Sequence, residues 1–321
     1  MIAIDMRLAR LFAVGLLGLL VAVACGSTPS TSMPPTSMPS TSMPPTSTPS
    51  TSVPSTPATS APRPNSLTTV GKMGWIIGWP TLSDLLAHDT AGVVRPELDH
   101  PTTYLIVGPR MSVPSGWSVT LTETFTDADA LVRAVETGAL WPGVRAVLLD
   151  IENWQFSPLA QQQDPGTAYT RAASAAHAHG LKLVATPAMN LAAVMGRLPG
   201  ESVSAAYLRL RVAALAGAHA DVFQLQSQSL EFDPANFAAT LQAVGAQVRA
   251  VNPSIVFFGG VSTNVSGRLT TAAQMLAAVQ AAGPTVSGYW LNDPAGGAYC
   301  PKCSGPYPTV AVALLAALPK S

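Results

Sequence analysis

The stretch Val144-Arg-Ala-Val-Leu-Leu-Asp-Ile-Glu-Asn-Trp154 is an apolar run, interrupted only by Arg145, that stops at two carboxylates two residues apart. Its apolar part is too short for a stable helix and shows no polar alternation. It therefore reads as a strand buried on both faces, the kind that parallel sheets use when helices cover them. A strand of this type needs neighbours, and the sequence on either side supplies them.

From Gly71 onward, short apolar runs alternate with longer amphipathic segments, the signature of repeated βα units. Eight strands are predicted: Met73–Trp79, Thr103–Val107, Ser118–Thr122, Ala146–Ile151, Lys182–Thr186, Val222–Gln226, Ile255–Gly260 and Gly288–Leu291. Helices are predicted over Asp127–Thr137, Gly166–His179, Ser202–Ala218, Pro234–Val251, Thr270–Ala282 and Val310–Leu318. Asp127 or Thr126 is placed to cap the first of these, and Gly180 and Gly283 sit where a C-terminal glycine belongs. The connection Pro109–Gly116 is too short for a proper helix. Eight strands in this alternation predict an α/β fold, a (β/α)8 barrel of the TIM type. No Gly-rich fingerprint follows the first strand, which argues against a dinucleotide fold or a P-loop.

The N-terminal part has a different character. Arg7 and Arg10 precede the apolar segment Leu11–Val23, and Ala22-Val-Ala-Cys25 closes it with small residues. This predicts a signal peptide over residues 1–24, and the cleavage site resembles a bacterial lipobox with Cys25 as the lipidation point. Cleavage by ordinary signal peptidase, or retention as an uncleaved anchor, are the alternatives. Residues 25–66 are mostly Ser, Thr and Pro, with the five-residue repeat TSMPP, TSMPS, TSMPP, TSTPS, TSVPS over Thr31–Ser55. Such a composition cannot bury a core and favours extended polyproline II, so it reads as a disordered linker able to reach on the order of 100 Å. The barrel domain is expected over residues 67–321. From Asn65 the chain carries 14 Lys plus Arg against 16 Asp plus Glu, a balance that gives nucleic acid no reason to bind. A monomer touching the membrane only through its lipid anchor is expected.

A (β/α)8 barrel places its active site at the C-terminal ends of the strands. Strand alternation puts Asp150 and Glu152 on one face, with Cα atoms about 6.6 Å apart, facing the barrel interior. Two acids in a partly apolar cup push their pKa values apart, which suits one for general acid work. The bland alternative is that Asp150 pairs with an inward arginine or caps a loop while Glu152 sits in solvent. Gln224, Gln226 and Gln228 share one parity on the sixth strand, Asn190 follows the fifth, and Trp290 and Asn292 close the eighth. Amides and indoles facing one cup suit a sugar's hydroxyls and flat apolar face. An internal polar ladder is the alternative for the glutamines. Trp79, Trp154 and Glu123 are further candidates to face the site.

Asp150-Ile-Glu152 resembles the last half of the Asp-x-x-Asp-x-Asp-x-Glu motif of family 18 chitinase-like glycosidases, and the Asp-x-Glu of family 25 lysozymes. The resemblance implies Glu152 as the acid that protonates the glycosidic oxygen and Asp150 as its partner. It also implies Trp290 as the floor under the reacting sugar. The chain departs from the chitinase pattern at Leu148, where an Asp is expected, and at Phe223-Gln-Leu-Gln-Ser-Gln228, which stands in place of Met-x-Tyr-Asp. Asp150–Pro158 with Gln161–Pro165 also resembles a group of uncharacterised actinobacterial secreted barrel proteins. A glycoside hydrolase-like lipoprotein acting on a polysaccharide or peptidoglycan-type glycan is expected, with a non-catalytic carbohydrate- or solute-binding lipoprotein, or a structural envelope protein, as the competing possibilities.

Once Cys25 is set aside, Cys300 and Cys303 remain, and in an exported protein they read as a short-range disulfide in the loop after the eighth strand. A zinc half-site lacks a second ligand pair, and a thioredoxin-like role needs the motif at a helix start, so no metal and no cofactor are expected. His177 and His179 do not share a helical face, and no Gly-x-Ser-x-Gly elbow supports a serine hydrolase.

Overall fold

The computed structural model describes residues 72–109, 111, 113–298 and 300–319; the signal peptide, Cys25 and the Ser/Thr/Pro linker lie outside them. Eight strands close into a parallel barrel: β1 (Gly74–Gly78), β2 (Thr103–Ile106), β3 (Thr120–Phe125), β4 (Ala146–Leu149), β5 (Lys182–Ala185), β6 (Val222–Gln224), β7 (Val256–Ser262) and, after the short hairpin β8 (Asn264–Val265) and β9 (Arg268–Leu269), β10 (Gly288–Asn292). Neighbours in sequence are neighbours in the barrel, and β10 pairs with β7 and β1 to close it.

Helices α1 (Trp79–His88), α2 (Val94–Leu98), α3 (Ala128–Glu136), α4 (Leu159–Gln163), α5 (Pro165–Ala178), α6 (Val203–Arg209), α7 (Val212–Gly217), α8 (Pro234–Val251), α9 (Ala272–Ala282) and α10 (Pro308–Ala317) connect the strands. Their caps follow the local chemistry. Asp127 accepts from the Asp129 amide to start α3, and Thr271 and Gln274 form a reciprocal capping box on α9. The single helix expected over Ser202–Ala218 is instead two, because Arg211 adopts a left-handed conformation (φ 56°) between α6 and α7. The stretch Pro109–Gly116 forms no helix among its described residues.

Most of the barrel strands are buried on both faces, β3 excepted. Ile76, Tyr104, Ala146, Leu148, Val184, Val222 and Phe258 fill the barrel interior, while the opposite parity packs on the helices. This double burial explains the unbroken apolar runs of β4 and of Leu183–Ala185 in β5. Interior space is tight: a Cβ on Gly74 would overlap the Phe258 ring. Gly74→Ala is expected to cost about 1–3 kcal/mol in urea unfolding, an overpacking penalty. Phe258→Leu in the same chain should recover part of it; an unchanged midpoint for the single variant would refute the steric account.

Candidate functional site at the carboxyl ends of the strands

The strand β4 delivers Asp150 at its end, where the Asp150 amide still donates to Phe125 O at 2.7 Å. Its side chain is 8% exposed, and its Oδ1 accepts from Thr186 Oγ1 at 3.0 Å and Gln226 Nε2 at 2.7 Å. Three adjacent strand ends thus meet on one carboxyl oxygen. Glu152, half-buried, accepts from Asn190 Nδ2 at 3.5 Å, and Asn190 Oδ1 in turn accepts from the Asn153 amide at 2.8 Å. Asp150 is bonded to a hydroxyl and an amide, not to an arginine, so the bland alternative does not describe it.

Both carboxyls are pushed above the ordinary range. For Asp150 the chief cause is burial, reinforced by the charge of Glu152 and opposed by the Thr186 and Gln226 hydrogen bonds. For Glu152 burial also leads, opposed by hydrogen bonds from Gln226 and Asn190. Because the charge of Glu152 acts on Asp150, the two titrate as a pair, and the pair keeps a proton at a pH where isolated carboxyls have lost theirs.

The loop above β4 is braced from several sides. Ser157 Oγ accepts from Trp154 Nε1 at 2.9 Å and from the Glu152 amide at 3.3 Å. Gln162 donates to Trp154 O and Ser157 O, and Gln161 bridges the Ala128 amide and Asp127. The Gln161-Gln-Gln-Asp-Pro165 motif therefore holds the loop in place. From behind, the buried Tyr169 hydroxyl of α5 donates to Leu149 O at 3.1 Å and accepts from the Ile151 amide at 3.4 Å, pinning the peptides on either side of Asp150. Tyr169→Phe leaves that amide without its partner and is expected to cost about 1–2 kcal/mol by denaturant titration; a neutral result would remove Tyr169 from this role.

Beside the acid pair lies a cleft of about 820 Å³ over the ends of β6, β7 and β10. Asn190, Gln226, Gln228 and Asn292 line it, as do Ser262 and Asn264. Gly260 makes room for the glutamines, because a Cβ there would stand 2.8 Å from Gln224 Nε2 and 2.9 Å from Gln228. Neither Asp150 nor Glu152 is part of the cleft wall; they adjoin it through Gln226 and Asn190.

No tryptophan is among the described residues lining the cleft. Trp290 packs with Ile106 on the barrel-interior cluster. Trp154 meets Phe156 edge-on within the β4 loop. Trp79 does not end β1 but opens α1, where Pro80 in the first turn favours helix, and it packs on the cluster between strands and helices. Glu123 lies inside β3 with the outward parity and accepts from the Trp141 amide at 2.7 Å, so it does not face the site. Gln224 belongs to the internal polar ladder, donating to Leu225 O and Gly259 O.

Sequence reasoning missed Thr186 as a partner of Asp150, and Asp84 and Ser262 as cleft residues; Asp84 sits on a helix absent from the expected elements. It also missed Glu231, fully buried in the turn after β6. Cys300 and Cys303 are joined as a disulfide, and Cys300 lines the cleft. No group of His, Cys, Asp or Glu among the described residues is arranged to hold a metal.

No protein-family model matches the chain, and no curated protein matches it. Among solved structures, the carboxyl transferase domain of Rhizobium etli pyruvate carboxylase, with 3-bromopyruvate and with oxalate, aligns at a TM-score of 0.36 and 14% identity. The alignment covers 68% of this chain and 32% of that one, so the chain spans about a third of the length of those structures. That likeness carries no argument about the site. The barrel assignment stands on the closed eight-strand topology itself.

Proposed function

We propose that this protein is a glycoside hydrolase-like lipoprotein, anchored outside the cell through Cys25, that cleaves a polysaccharide or peptidoglycan-type glycan. The observation that carries the reading is the pair of amide-linked carboxyls at the end of β4, Asp150 buried and Glu152 half-buried, beside a cleft lined by carboxamides and hydroxyls. Glu152, the more accessible of the two, gives its proton to the glycosidic oxygen as the bond to the anomeric carbon breaks. Water then adds its hydroxyl to that carbon and returns a proton to the pair. Asp150 shares and stores the proton, and Asn190 and Gln226 orient the two groups and meet sugar hydroxyls. No cofactor enters this chemistry.

One observation favours a second reading, a non-catalytic carbohydrate-binding lipoprotein: the cleft volume lies alongside the carboxyls, which do not form its wall. A panel of chitin oligomers, peptidoglycan and β-glucans, assayed for reducing-end release and by calorimetry in parallel, separates the two. Release is expected from at least one glycan. Binding without release would leave the binding reading in its place.

A further inference from the structure

The cleft contains no Lys, Arg or His among its described lining residues, but it does contain Asp84 and Asp293. Asp293 is 4% exposed; its Oδ1 accepts from Thr263 Oγ1 and from the Tyr307 amide, while its buried Oδ2 has no partner among the described residues. Asp84 adds a half-buried carboxylate from α1. The acid pair stands at the adjoining edge, and the four ion pairs among the described residues all lie elsewhere. Among the described residues, the ionisable side chains facing the cleft are thus all acidic, and the remaining polar groups are amides and hydroxyls.

We infer that the cleft takes an uncharged saccharide and rejects acidic ones, so that uronate-bearing, phosphorylated and sialylated glycans are excluded as ligands. An acidic saccharide would lose water from its carboxylate or phosphate and find no guanidinium or ammonium among the described lining residues to replace it. It would also face like charge in a partly enclosed, low-dielectric space. A neutral saccharide meets donors and acceptors that can satisfy its hydroxyls without that penalty. The inference rests on the glycan reading of the site, but it concerns binding and does not need turnover.

The test measures the affinity of the full chain for cello- and laminari-oligosaccharides and for the same oligosaccharides oxidised to their uronic acids. The neutral forms should bind at least about tenfold tighter at low salt. The gap should narrow as salt screens the carboxylates, and in Asp84→Lys. Equal or tighter binding of the uronic acids would overturn the inference even if the protein proved to be a hydrolase. Failure of both the neutral and the acidic forms to bind would overturn it as well. If the protein hydrolyses nothing but still prefers the neutral forms, the catalytic proposal falls and this one stands.

Discussion

Replacing Glu152 by Gln is expected to lower the rate of cleavage of an unactivated glycan by about 10² to 10⁴, the usual contribution of a positioned general acid. Gln keeps the size of the side chain and can still hydrogen-bond Asn190, so the cleft should hold substrate with little change in KM. What it cannot do is release a proton to the leaving oxygen. The loss should therefore depend on the leaving group. An aryl glycoside whose phenolate departs without protonation should suffer far less than a natural oligosaccharide. A uniform loss across leaving groups would instead point to damaged binding or folding. Asp150→Asn should behave differently, shifting the pH dependence, because it removes the more strongly raised carboxyl of the pair and leaves Glu152 to titrate alone.

The second large effect lies in stability. Glu231 is fully buried; its carboxyl accepts from the Ser262 amide and from Thr270 Oγ1, each at 3.0 Å. Burial raises its pKa to about 8, against the pull of those two hydrogen bonds. In the unfolded chain the group titrates near the ordinary value of 4.5. Between these limits the native state holds a proton that the unfolded state has lost, so stability falls as pH rises through the window and levels off above it. The full change is on the order of a few kcal/mol. Glu231→Gln keeps the shape without the titration. Relative to wild type, the variant should gain stability steadily from about pH 5 to about pH 8 in urea unfolding. A constant difference across that range would show that Glu231 does not titrate as its burial implies.

Much of the fold was legible because parallel barrel strands are buried on both faces, so runs such as Ala146–Leu149 and Leu183–Ala185 stand out without any periodicity. The cap at Asp127 was legible for a similar reason: it depends on adjacent residues. Where the sequence misled, the deciding contact was remote or the local signal was weak. Trp79 continues an apolar run and reads as strand, yet Pro80 commits it to helix. The break at Arg211 has no glycine or proline to announce it. At the site, the parity of Asp150 and Gln226 could be read from strand alternation. Thr186 as the partner of Asp150 could not, since it depends on the registration of β4 against β5. Glu231 was invisible for the same reason: its partners at Ser262 and Thr270 lie more than 30 residues along the chain.

The central claim is that the Asp150–Glu152 pair holds a proton and delivers it to a glycosidic oxygen. The most direct measurement is the rate of reducing-end release by the wild type and Glu152→Gln, side by side on the same unactivated glycans, from about pH 4 to about pH 9. The account predicts release by the wild type that persists above the ordinary carboxylate range and fails on an alkaline limb, with release by the variant at least about a hundredfold slower below that limb and the two rates converging above it. Equal release by both proteins below that limb, or none by the wild type at any pH, would contradict it.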